Sequence, residues 1–180
     1  MAAAVAGMVF CLSAVGNAAP ALPQLTALPE LTGLPELPTL PELTGPQSDY
    51  VEHCSGCHGM QGNSAPAEIP VLRDRVGYFM CTREGRDYLI RLPNVAYSAI
   101  GDNQELADMM NFVVFGLGGN SAPKGAKPFT AAEVARLRTQ ALATQSLIAA
   151  RARVVDGMVG NCAVPQSMKF FYDGQEQAAH

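Results

Sequence analysis

Residues 54 to 58 read Cys-Ser-Gly-Cys-His, and no other stretch restricts the fold as strongly. Positions three apart share one face of a helix, so Cys54 and Cys57 present two thiols side by side, with His58 one turn beyond Cys54. This spacing attaches haem covalently: the thiols add across its vinyl groups while the next residue offers imidazole to the iron. A zinc site needs about four N or S ligands, and Cys81, Cys162, His53 and His180 show no second paired spacing. A thioredoxin-like dithiol requires a βαβ setting, which the sequence lacks. The expected cofactor is therefore one covalent haem c on Cys54 and Cys57, with His58 as the proximal iron ligand.

The stretches around the motif differ sharply in character. Residues 1 to 19 contain no charge and end in small residues, which reads as a secretory signal peptide, with an uncleaved anchor as the alternative. From Leu22 a six-residue unit recurs, LPQLTA, LPELTG, LPELPT and LPELTG. Its prolines remove backbone donors and bias their neighbours to extended geometry. Residues 20 to 47 therefore read as a semi-rigid linker spanning roughly 3.1 Å per residue, with a docking role for its leucines as the alternative.

Helical signals follow. Asp49, with Glu52 three residues on, caps a helix that leads into the motif. Residues 84 to 92 place Tyr88, Leu89 and Leu92 on one side before Pro93. A stronger pattern over 103 to 115 aligns Leu106, Met109, Met110, Val113 and Val114, and GLGG ends it. Thr130 and Glu133 cap a further helix that continues or restarts to about Val155. The tail from Gly157 shows no period and reads as irregular.

With these elements in place, the stretch CSGCHGMQG, then Pro70-Val71-Leu72, then LPNVAYSAIGDNQELADMMNFV resembles the class I c-type cytochromes over about residues 49 to 118. The resemblance implies an all-α fold in which the first and last helices of residues 48 to 118 cross over the haem. Residues 119 to 180 then form a C-terminal helical extension and tail. It also implies that a proline carbonyl orients the proximal histidine; Pro70 fits that role best and Pro66 less well. His53 reads as a helix-surface bystander.

The sequence departs from the family at the sixth iron ligand, which is normally a methionine before a proline. Here Leu92-Pro93 occupies that place, and leucine cannot coordinate iron. Met80 is the first substitute, because a thioether raises the potential and suits electron transfer. A five-coordinate iron with Tyr78 or water nearby is the alternative. Met109 and Met110 read as core residues, and Met158 and Met168 lie in a stretch the pattern does not place. Cys81 is a thiolate candidate unless it is bonded to Cys162, since the two remain as an even pair in an exported chain. Arg73, Arg75, Arg83, Arg86 and Arg91 are candidate haem-propionate partners.

Charge narrows the partners. Residues 49 to 118 carry nine acids against five arginines, while residues 119 to 180 carry seven bases against four acids. No dense basic patch suits nucleic acid. Membrane association is expected only through the N-terminal segment. The expected protein is a periplasmic or otherwise exported monohaem electron carrier, rather than an enzyme, between a dehydrogenase and a respiratory acceptor. Two alternatives stand beside it: a haem protein with an open sixth position for small-ligand or peroxide chemistry, and a haem subunit tethered in a larger oxidoreductase complex.

Overall fold

The computed structural model describes residues 42–64, 69–143 and 146–171. The signal segment, most of the repeat, Pro66 and His180 lie outside the described residues. Every regular element among those described is helical, as the all-α reading expects. No helix among them is long and apolar enough to cross a membrane.

Helix α1 spans Gly45–His53 with Thr44 as its cap, five residues ahead of the Asp49 cap that the sequence suggests. The last leucine-proline repeat supplies this earlier start. The Thr44 N–H donates to the Gln47 side chain at 3.0 Å, and Pro46 occupies a first-turn position whose N–H needs no partner. After a break at Cys54, the short helix α2, Ser55–His58, carries the motif.

Helix α3, Arg83–Arg91, starts at Thr82, whose hydroxyl accepts from the Gly85 N–H at 3.0 Å. Pro93 stops it and opens the short α4, Pro93–Ala96. Helix α5, Asn103–Asn111, is capped by Asp102 and widens into a π-helical turn over Phe112–Leu117. Helix α1 packs against α5 and this turn, with the Tyr50 and Phe112 rings edge to face at 5.8 Å.

Helix α6, Ala131–Arg138, packs on α5 and α3; its cap is Thr130, as the sequence indicates. The chain then restarts as α7, Leu147–Asn161, capped by Ser146 and packed on α3. Here the structure corrects the sequence reading: α7 runs through Gly157 and Gly160 before a 3-10 turn at Gln166–Lys169. Burial overrides the weak local propensity. Val154, Val155 and Met158 join Ile90, Leu106, Val114, Val134 and Leu137 in one apolar cluster.

Two constraints, one covalent and one steric, shape this core. Cys81 is disulfide-bonded to Cys162, tying the turn at Val76–Cys81 to the end of α7. Gly77 sits so close to the Ala122 backbone and the Ser121 hydroxyl that an added Cβ would collide with them, as would one on Gly118 with the Val114 carbonyl and the Gly77 nitrogen.

Candidate haem-attachment site

The motif is held by a compact set of backbone bonds. The Cys57 and His58 amides donate to the Cys54 carbonyl at 3.2 and 3.0 Å, so the five residues form a single turn. Cys54 and Cys57 are free thiols, and they are not bonded to each other. Burial, reinforced by Cys57, pushes the Cys54 thiol up to about 11, so it stays protonated at neutral pH. Reduced S–H groups are what addition to a vinyl group requires.

Beyond His58 the chain reverses through Gly59 and Gly62, whose φ values of +74° and +77° favour glycine. The Tyr50 hydroxyl donates to the Gly59 carbonyl at 2.7 Å, locking the start of the reversal to α1. The Gly62 carbonyl then accepts from the Leu72 and Arg73 amides at 2.8 and 3.0 Å. This pairing returns the loop to the motif and places Pro70 beside His58.

His58 Nδ1 lies 3.2 Å from the Pro70 carbonyl. A carbonyl only accepts, so Nδ1 carries the proton and Nε2 keeps a free lone pair. Burial pulls the His58 pKa below the ordinary value despite the opposing effect of the Pro70 bond. The ring is therefore neutral at pH 7, the form that ligates a metal. Two adjacent free thiols and one oriented neutral imidazole are the donor set of a covalent haem. In addition, the buried Ser64, whose N–H donates to the His58 carbonyl at 2.8 Å, has a hydroxyl oxygen with no partner among the described residues, leaving polar capacity for a bound group beside the motif. No group of three or more His, Cys, Asp or Glu able to hold a bare metal ion occurs among the described residues.

Other sequence-predicted residues lie elsewhere. Met80 turns its sulfur toward Arg86, 3.9 Å from Nη1, in a cavity also lined by Lys127, Pro128, Thr130 and Glu133. None of Cys54, Cys57 and His58 lines that cavity. Met109, Met110, Met158 and Met168 are all buried in the apolar core. The disulfide removes Cys81 as a thiolate ligand. Tyr78 is half-buried against the core, and His53 is exposed on α1.

The arginines are largely committed within the protein. Arg86 makes a two-point ion pair with Glu133, both bonds at 2.6 Å, and stacks 4.2 Å over the Phe129 ring. Arg91 donates to the Gln140 carbonyl and Arg75 to those of Ser167 and Phe170. Arg73 donates to the Gln61 carbonyl and stays next to the motif loop, while Arg83 is 87% exposed beside Asp87.

Sequence reasoning missed Arg151 and the segment 166–171. Arg151 is only 5% exposed and donates to the Met168 and Phe170 carbonyls. A charge at the apolar face of α7 was the one available signal.

Known proteins resemble the chain. Cytochrome c-552 of Thermus thermophilus is 29% identical over 118 residues, covering 56% of this chain and 90% of that protein. A cytochrome c-552 from a further strain of the same species is also 29% identical over 118 residues, covering 56% of this chain and 80% of that protein. No family model and no solved structure matches the chain. In its motif, its all-helical fold and its relatives, the chain resembles the class I c-type cytochromes, and its donor set is that of one covalent haem c.

Proposed function

We propose that this protein is an exported monohaem c-type cytochrome that carries single electrons between a dehydrogenase and a respiratory acceptor. The observation that carries the reading is the motif turn itself, two free thiols and a neutral His58 held by Pro70 with its Nε2 lone pair free. Haem, when bound there, supplies a reversible one-electron couple. Cys54 and Cys57 fix its position, His58 supplies the proximal ligand, and the Pro70 carbonyl keeps the imidazole in one tautomer and orientation.

The electron-carrier role also draws on the resemblance to cytochrome c-552. Export is supported by the Cys81–Cys162 disulfide, which belongs to an oxidising compartment. The acidic 49–118 segment favours donor and acceptor proteins with basic rims, because complementary charge steers encounter.

A second reading, an iron with an open sixth position, is favoured by the Leu92-Pro93 substitution and by Met80 facing Arg86. Optical spectra separate the two. A low-spin spectrum in both oxidation states that ignores carbon monoxide supports the closed carrier. A high-spin ferrous form that binds carbon monoxide at once supports the open site. A sulfur-to-iron charge-transfer band lost in Met80→Ala would assign Met80 as the sixth ligand; its persistence in that variant would remove Met80.

A further inference from the structure

The carbonyl that orients His58 shares a peptide group with the Val71 N–H. That N–H donates to the Phe171 carbonyl at 2.8 Å, at the far end of the described chain. His58 Nδ1–H, the Pro70–Val71 peptide and the Phe171 carbonyl thus form one hydrogen-bonded series. We propose that segment 166–171 is a positioning device for the proximal histidine, acting through this peptide to strengthen the Pro70 carbonyl as an acceptor and so lower the reduction potential.

An amide whose N–H donates a hydrogen bond gains electron density on its own carbonyl oxygen, so the Val71 and Pro70 bonds are coupled across the peptide group. Each bond in such a series strengthens the next by roughly 10 to 30%. A stronger Pro70 acceptor gives His58 more imidazolate character, makes it a better donor to iron and favours the ferric state.

The segment is built to hold this carbonyl in place. Arg75 donates to the Ser167 and Phe170 carbonyls, the latter at 3.0 Å. The buried Arg151 donates to the Met168 carbonyl at 2.9 Å and lies 4.8 Å from the Phe171 ring centroid. Met168 is fully buried, and the Cys81–Cys162 bond fixes the start of the return path. Two guanidinium groups spent on the backbone carbonyls of one short segment are more than simple cover would need.

This inference rests on His58 being the iron ligand, and the test keeps the two claims separate. The holoprotein is compared with a chain ending at Pro165 and with a control chain ending at Gly174, which retains Phe171. Optical spectra of the full holoprotein and of His58→Ala that match in both oxidation states would overturn the ligand reading itself. With haem retained, the Pro165 chain should favour reduction about threefold more, an upward shift of about 30 mV at 59 mV per decade. The control should match the full chain. Loss of cover alone would expose haem to water and shift the potential downward, so the sign discriminates. An unchanged or lower potential in the Pro165 chain overturns the relay. Should that chain fail to fold, amide exchange in the intact holoprotein decides: Val71 exchanging as slowly as the core supports the bond, and exchange at a loop rate refutes it.

Discussion

Replacing Cys81 and Cys162 together by alanine tests how the C-terminal region is secured. The bond closes a loop with a sequence separation of 81. The chain-entropy relation assigns such a loop about 4.5 kcal/mol of stabilisation, acting on the unfolded chain. Both cysteines are only half-buried, so the lost sulfur atoms add little more than about 1 kcal/mol of packing. For a chain of this size each kcal/mol lowers the melting temperature by about 2 to 4 °C, giving an expected drop of roughly 9 to 18 °C from loop closure alone. Urea unfolding of the ferric holoproteins, wild type and double variant, provides the assay. The midpoint should fall and the slope should rise, because the uncrosslinked denatured chain exposes more surface. A loss below about 1 kcal/mol would refute the reasoning and leave the Arg75 and Arg151 bonds as the fastening of the tail.

Three further perturbations address other joints of the fold. Asn111→Leu strips two bonds from the buried Phe129 backbone, one from its N–H at 2.6 Å and one to its carbonyl at 3.0 Å; chemical denaturation should show a loss of about 2 to 5 kcal/mol. Gly77→Ala forces a Cβ into the Ala122 backbone and the Ser121 hydroxyl, and a loss of about 1 to 3 kcal/mol in the same assay is expected from overpacking. Bonding to Arg86 holds the Glu133 carboxyl below its usual pKa. Its folded value is depressed, so its contribution is complete above the unfolded value, about 4.3, and is lost as pH falls through the folded one. Stability of the wild type measured against pH should therefore fall more steeply in that acidic window than that of Glu133→Gln, and parallel curves would contradict the assignment.

The motif was legible because its chemistry is local: five consecutive residues fix two sulfurs and an imidazole on one turn. Capping signals were legible for the same reason at Thr130, yet Asp49 and Glu52 misled. Thr44, Pro46 and Gln47 compose an equally local start five residues earlier, hidden where the repeat ends. Helix α7 extends past Gly157 because Val154, Val155 and Met158 are buried against other helices, and no propensity records that. The tail was illegible for a deeper reason. Its structure comes from Arg75 bonding carbonyls 92 and 95 residues away, and backbone carbonyls carry no sequence signature. Likewise the sixth-ligand question arises where the pattern is broken, at Leu92, and side-chain type alone does not say that Met80 turns to Arg86.

The central claim is that Cys54 and Cys57 would carry one haem covalently. The direct measurement is extraction of the purified holoprotein with acidic acetone, followed by an alkaline pyridine spectrum and intact mass of the polypeptide. The account predicts that haem stays with the chain, that one haem is found per polypeptide, and that Cys54→Ala with Cys57→Ala abolishes retention. Haem recovered entirely in the organic phase, or a wild-type polypeptide of unmodified mass, would contradict it.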